Sequence, residues 1–293
     1  MNNDRLLYRR GILQLVASGF FLSTAGIALR LVEQADGWQI LFYRSLALSI
    51  TILLILVFQK RSRFFDEFRG LGWNDCLLAV FLGTGFVAYV FALLYNTVAN
   101  ALFIFSCAPF VAGFLGWILL GERVAMRTWF AIGAAMAGLT VMVGSGLAVS
   151  RYFGTLIALW IPISYAASII AVRSSKRENM LAALCLAGLV SGGLSAIFVT
   201  DYALTSRDLI ISLYLGVFQV GVGFTLVVLG ARYVPAALVG LLALVEPVLA
   251  PIWVWMGVGE VPSLATIVGG TIIFLAITTD SILNIKSSES HSA

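Results

Sequence analysis

The sequence predicts an all-α integral membrane protein, and three observations point to that class. Hydrophobic residues make up 61% of the chain and charged residues only 11%. The mean hydropathy of +1.02 is far above that of soluble domains. The apolar residues form long runs, and a helix needs about 20 such residues to cross about 30 Å of hydrocarbon. The runs therefore predict a chain that crosses the bilayer many times.

Short polar breaks divide the chain into ten predicted transmembrane helices. The N-terminal run is too long for the apolar region of a signal peptide and lacks a clear cleavage site, so it predicts the first span. The longest loop, residues 59–73, is too short to fold alone, which leaves no room for a soluble catalytic or nucleotide-binding domain. The predicted spans are 11–31, 38–58, 74–95, 98–120, 128–147, 153–172, 181–200, 208–230, 233–257 and 262–283.

The basic residues predict the orientation of these spans. With the N-terminus inside, fourteen of the 18 Lys and Arg residues fall on the cytoplasmic side, three fall outside, and Arg44 lies within a span. This bias follows the positive-inside rule and predicts that both termini are cytoplasmic. It also accounts for the net charge of +4, so we expect a lipid bilayer and no nucleic acid as a partner.

The second half of the chain repeats the first. A shift of 138 residues aligns eleven identical residues over forty positions without a gap, and a shift of 143 pairs Gly11 with Gly154 and Arg30 with Arg173. The repeat predicts two five-helix domains, residues 1–147 and 148–285, followed by a cytoplasmic tail, 286–293. Because each half has an odd number of spans, the second half is inverted in the membrane relative to the first, as in many secondary transporters. The alternative is a duplication that was kept for packing alone. The aligned pairs include Phe86 with Phe224, Tyr95 with Tyr233, Pro109 with Pro247, Trp117 with Trp255, and Gly121-Glu122 with Gly259-Glu260.

The chain resembles the EamA branch of the drug/metabolite transporter superfamily. The resemblance covers about residues 11–283 and rests on the ten spans, the two repeats, Arg44 in the second span and the phrase "PFVAGFLGWILLGE" that returns as "PVLAPIWVWMGVGE". Within that branch the chain is most similar to the bacterial inner-membrane exporters of aromatic amino acids. The resemblance implies a multi-pass protein of the bacterial inner membrane, with a central cavity walled by both halves and with spans 5 and 10 at the periphery.

Two charged residues inside predicted spans are candidate substrate-binding residues. An arginine near the bilayer centre costs a few kcal/mol unless it is paired, snorkels or faces water. Arg44 is therefore either a cavity residue that attracts carboxylates or a structural residue that reaches the headgroups or helix carbonyls. Glu246, near the middle of the ninth span, pairs with a substrate ammonium or carries a proton, or it bonds to a neighbouring helix backbone as a latch. Its aligned residue in the first half is Ala108.

Prolines and aromatic residues inside the spans are the remaining candidates. Proline removes a backbone hydrogen bond and kinks a helix, so Pro109, Pro162 and Pro247 are candidate hinges, with static kinks as the alternative. Aromatic ring faces suit aromatic or cationic ligands. Deep aromatic residues are therefore candidates to line the cavity, with helix packing as the alternative: Tyr89, Trp160 and Tyr165.

Other motifs argue against further chemistry. No phosphate-binding GxxxxGK[ST] motif is present, and the single histidine, His291, lies in the tail. The three cysteines are scattered along the chain. We therefore expect no enzyme, no cofactor and no metal site. The Gly-Glu pairs at 121–122 and 259–260 are predicted helix ends with a structural role.

The sequence predicts a monomeric secondary transporter that exports small amphipathic metabolites, above all aromatic amino acids, with proton coupling left open. Hydrophobic cations, nucleotide sugars and drugs are alternative substrates, and a passive channel is the alternative mechanism.

Overall fold

The computed structural model describes residues 2–61, 64–95, 101, 104–122, 124–144, 152–175, 180–259 and 264–290. The regular elements within these ranges are all helical. In the first half they are α1 (Asn2–Leu22), α2 (Ala25–Arg30), α3 (Gly37–Lys60), α4 (Phe64–Arg69), α5 (Trp73–Tyr95), α6 (Ala108–Leu120) and α7 (Met126–Gly144). In the second half they are α8 (Tyr152–Ser174), α9 (Leu181–Phe198), α10 (Ser206–Tyr214), a π-helix (Leu215–Val222), α11 (Gly223–Ala231), α12 (Ala236–Ala243), α13 (Val245–Val258) and α14 (Leu264–Ser290).

Seven helical stretches in the described part of the chain are long and apolar enough to cross a membrane. They coincide with seven of the ten predicted spans, so the prediction of an all-α integral membrane protein is confirmed. The full set of ten stays a prediction, because the spans 98–120, 128–147 and 262–283 each include residues outside the described ranges. Glu260 also lies outside them. The seven stretches are Arg5–Arg30, Gly37–Gln59, Trp73–Tyr95, Leu156–Ser174, Leu181–Phe198, Ser206–Ala231 and Ala236–Val258.

The first predicted span is interrupted between α1 and α2. The hydroxyl groups of Ser23 and Thr24 donate to the carbonyl oxygens of Phe20 and Phe21, each at 2.7 Å. Such bonds from serine and threonine compete with the backbone ladder and bend a helix. The sequence predicted one continuous helix here because all the flanking residues are apolar.

Two further interruptions precede the prolines of the repeated phrase. Residues 106 and 107 form a turn before α6, and Leu244 separates α12 from α13. Pro109 and Pro247 therefore lie in the first turns of new helices, where a missing backbone N–H has no helical partner to lose. Pro162, in contrast, lies within α8, which continues on both sides of it.

The helix ends of the repeated phrase also match each other. Gly121 and Gly259 follow α6 and α13 and have left-handed backbones, with φ of 67° and 75°. A left-handed residue after the last turn is a common helix terminator and favours glycine, which has no Cβ. The prediction that the phrase marks helix ends agrees with the structure at both glycines.

Glu122 holds the end of α6 against the second half of the chain. Its carboxylate forms an ion pair with Arg173 at the end of α8 and accepts a hydrogen bond from the Ala236 backbone at 3.0 Å. Arg173 also donates to the carbonyl oxygens of Ala231 and Val234. Both side chains are 17% exposed, so the pair is largely shielded from solvent. Glu122 therefore ties together α6, α8 and the connection between α11 and α12.

The helices pack so that the two halves interleave. Within the described residues, α5 packs on α8 and α9, α3 on α9 and the π-helix, and α1 on α11. α6 packs on α12 and α8, while α7 and α14 pack mainly on each other. The interior is therefore bounded by α1, α3, α5, α8, the π-helix, α11 and α13.

Gly240 allows α12 to approach α6 closely, and its replacement tests that interface. A Cβ at this position would lie 2.7 Å from the Pro109 Cα, which is backbone and cannot rotate away. We expect Gly240→Ala to lower stability by about 1–3 kcal/mol through overpacking. The measurement is the melting temperature of the purified protein in detergent. Gly133→Ala is the control, because a Cβ there would have no packing neighbour within 4 Å among the described residues; an equal shift in both variants would contradict the close contact.

Candidate functional site

A small cavity lies in the interior where the two halves meet. Its volume is about 40 Å³, enough for roughly one or a few water molecules. Residues of α1, α3, α5, α8, the π-helix, α11 and α13 line it, and most of the lining is apolar. Four of the five predicted substrate-binding residues lie in this wall: Arg44, Tyr89, Tyr165 and Glu246.

Glu246 is held in the cavity by a residue from the first half. Its side chain is buried, and Oε1 accepts a hydrogen bond from the Tyr89 hydroxyl at 2.6 Å. Glu246 lies in the first turn of α13, where the helix dipole favours a carboxylate. The sequence left open a bond from Glu246 to a neighbouring backbone; the structure shows the bond to Tyr89 on α5 instead.

Arg44 faces the same cavity without an acidic partner in contact. The residue is 4% exposed, and its guanidinium lies over the Phe86 ring at 5.5 Å from the centroid. Among the residues that the structure describes, no acceptor forms a hydrogen bond or an ion pair with it. A cation over an aromatic face gains some stabilisation, but its hydrogen-bond donors are left for another group.

Aromatic rings form a continuous surface along the cavity. Phe86 meets Phe224 edge to face at 4.9 Å, Phe224 lies 6.3 Å from Tyr165, and Tyr165 lies 5.5 Å from Phe105, all between ring centroids. The sequence predicted only Tyr165 of these four. The repeat offered a further signal that was not used, since it aligns Phe86 with Phe224.

Trp160 does not belong to the cavity wall in this structure. It lies five residues before Tyr165 on α8 and therefore on a different face of the helix. Its Nε1 donates to the Thr84 hydroxyl at 3.0 Å, its ring stacks on Phe81 at 5.8 Å, and 37% of the residue is exposed. Its contact with substrate stays a prediction. The three candidate hinge prolines also lie outside the lining.

Gln219 is a cavity residue that the sequence prediction missed. It lies in the π-helix, is 2% exposed, and lines the cavity together with Arg44 and Glu246. The signal that could have found it is its polarity, because it stands alone within the apolar run "LGVFQVGV".

Apolar helices that enclose a buried arginine and a buried carboxyl group are typical of membrane proteins that move solutes. The profile of the EamA-like transporter family matches the chain twice, over residues 9–144 and 152–279. The chain therefore belongs to the EamA-like transporter family and is a multi-pass membrane transporter.

Two similar proteins are consistent with this assignment. An uncharacterized transporter of Archaeoglobus fulgidus is 26% identical over 271 residues, which cover 92% of this chain and 95% of that protein. A solved structure described as "Crystal structure of protein" superimposes with a TM-score of 0.79 at 18% identity, covering 94% of this chain and 98% of that one. At that identity the superposition supports the fold alone.

Replacing Arg44 and Arg173 each by methionine distinguishes an arginine that serves substrate binding from one that stabilises the fold. We expect Arg44→Met to leave the melting temperature unchanged or raised, because methionine replaces a buried charge that has no hydrogen-bonded partner among the described residues. Arg173→Met should lower stability by about 2 kcal/mol or more, because it removes the bonds to Glu122, Ala231 and Val234. Thermal unfolding in detergent measures both. An equal loss in the two variants would show that Arg44 holds the fold.

Proposed function

We propose that the protein is a secondary transporter that exports small amphipathic metabolites, above all aromatic amino acids, across the bacterial inner membrane by alternating access. The observation that carries the proposal is the single cavity that Arg44 and Glu246 both line, beside an aromatic wall. An aromatic amino acid has a carboxylate, an ammonium group and a ring, which matches the three kinds of lining.

The geometry of the charges supports a zwitterionic substrate. A guanidinium binds a carboxylate through two parallel hydrogen bonds, and Arg44 has donors available for them. The second oxygen of Glu246 is available to a substrate ammonium, because the bond from Tyr89 goes to Oε1. Since Arg44 and Glu246 do not form a salt bridge with each other, each can bind the opposite charge of one substrate.

The size of the cavity supports a mechanism with moving helices. Ligand pockets usually measure about 300–1,000 Å³, whereas this cavity measures about 40 Å³. A substrate must therefore enter a conformation in which the lining helices have separated. The interruptions before Pro109 and Pro247 are the proposed hinges, and Pro162 within α8 is a third.

The packing supports two equivalent, inverted halves. Phe86 and Phe224, which the 138-residue shift aligns, contact each other at the cavity. The same shift carries the turn at Ser106 onto the interruption at Leu244. α6, in the fourth predicted span, packs on α12, in the ninth predicted span, and the shift aligns these two spans with each other. Such pairs of aligned elements meet where a pseudo-two-fold axis passes, and halves related in this way can open alternately to the two sides.

Uptake into vesicles that contain the purified monomer tests the proposal. We expect saturable uptake of labelled phenylalanine in excess over alanine and a nucleotide sugar. Selective saturable flux of the nucleotide sugar would overturn the amino-acid assignment, and flux that does not saturate or show trans-stimulation would indicate a channel.

A pH gradient across the same vesicles tests whether Glu246 couples transport to protons. If Glu246 carries the proton, the gradient stimulates uptake and Glu246→Gln removes the stimulation, because the amide cannot release a proton. Glu33→Gln makes the same chemical change on an exposed connection and should leave the stimulation intact. A gradient response that survives Glu246→Gln would contradict the proton role of Glu246.

A further inference from the structure

The amide group of Gln219 has one end bound to the protein and one end free. Its Nε2 donates to the carbonyl oxygen of Leu22, the last residue of α1, at 3.3 Å. Its Oε1 is buried and has no hydrogen-bond partner among the described residues. Because a carbonyl oxygen can only accept, the amide nitrogen must face Leu22, and the oxygen is the end left over.

The local backbone holds the π-helix, which carries Gln219, close against α3, which carries Arg44. Gly216, in the same π-helix, lies against the Arg44 carbonyl oxygen so closely that a Cβ there would collide with it. The wide turns of a π-helix are rare and frequently mark functional sites. The π-helix and α3 thus form one packed unit that presents the Arg44 guanidinium and the Gln219 amide to the same cavity.

An unpaired buried acceptor is unfavourable and indicates a missing donor. No described donor of the cavity wall bonds to this oxygen: the Tyr89 hydroxyl is bonded to Glu246, and neither the Arg44 guanidinium nor the Tyr165 hydroxyl forms a hydrogen bond to Gln219. A ligand with several N–H donors would satisfy both the Gln219 oxygen and the free oxygen of Glu246. A primary ammonium group has three donors in a compact arrangement, whereas a hydroxyl group has one.

We propose that Gln219 is a specificity-determining residue whose Oε1 accepts a hydrogen bond from the primary ammonium group of the substrate, beside Glu246. The inference rests on the proposed function and deepens it, since it selects amino compounds over hydroxy or keto acids of the same shape. A neutral amide adds an acceptor without a second negative charge, so the net charge of the site stays matched to a zwitterion.

Three ligands separate the parts of the substrate in a binding experiment on the purified full chain. Phenylalanine has the ring, the carboxylate and the ammonium group. Phenyllactate replaces the ammonium group with a hydroxyl, and phenylethylamine lacks the carboxylate. Isothermal titration of the wild type should show that phenylalanine and phenylethylamine bind and that phenyllactate binds at least about tenfold more weakly than phenylalanine, the loss of one charged hydrogen bond.

Two variants at Gln219 distinguish the free acceptor from the bond to Leu22. Gln219→Met and Gln219→Glu both remove the Nε2 donor, but only Gln219→Glu keeps an acceptor. We expect Gln219→Met to weaken both amines about tenfold or more and to leave phenyllactate unchanged. Gln219→Glu should keep the preference for amines. Gln14→Met makes the same change in α1, outside the cavity lining, and should bind all three ligands as the wild type does.

The outcomes separate this inference from the proposed function. If both Gln219 variants weaken all three ligands equally, or if Gln219→Met has no effect on the amines, the inference is overturned while amino-acid transport stands. If the wild type binds phenylethylamine but not phenylalanine, and Gln219→Met abolishes that binding, the amino-acid assignment fails and the role of Gln219 holds. A wild type that binds none of the three ligands overturns both.

Discussion

Arg44 and Glu246 are buried in one cavity without forming an ion pair, and the interior of the protein is arranged around that separation. Two opposite charges in contact would neutralise each other and leave little attraction for a charged ligand. Here the Phe86 ring lies under the guanidinium, and the Tyr89 hydroxyl holds the carboxylate. α5 carries both of these residues, so one helix supports the two charges and keeps them apart. Arg44 is buried without a hydrogen-bonded partner among the described residues, which is unfavourable for an arginine, and this supports the proposal that it binds another molecule.

The helix interruptions show how an apolar bundle can present polar groups at its centre. In a regular helix, all interior backbone N–H and C=O groups are hydrogen-bonded to one another, and the side chains repeat on fixed faces. The break after Leu22 frees a carbonyl oxygen that holds Gln219, and the break at Leu244 places Glu246 in a first turn. The π-helix allows α3 to approach through Gly216. Each of these three irregular segments therefore carries or adjoins a residue of the cavity lining, while α7 and α14, which pack mainly on each other, are regular.

The sequence predicted the fold class and singled out the two charged residues that line the cavity, because both have large physical signals. Charged groups are costly in an apolar span, so Arg44 and Glu246 stand out from the apolar residues around them in the sequence. Trp160 has no such signal, since a helix rotation of about 100° per residue decides whether a ring faces the cavity or a neighbouring side chain. The π-helix around Gln219 was not predicted either; in the structure it packs against α3. The ion pair of Glu122 with Arg173 joins residues 51 positions apart, and only the folded chain brings them together.

In the proposed transporter, residues that the repeat preserves serve the movement of the two halves, and residues that break the repeat serve substrate recognition. In the proposed cycle the two halves exchange roles, which requires that their packing elements be equivalent, as Phe86 and Phe224 are. A substrate with two different ends cannot be bound by a symmetric site on the axis between those halves. The charged residues should therefore break the repeat, and they do: Glu246 aligns with Ala108, and a shift of 138 or 143 residues places Arg44 on Ala182 or Ala187. The same reasoning makes an unrepeated polar residue on the cavity wall, such as Gln219, a better candidate for recognition than any residue that the repeat preserves.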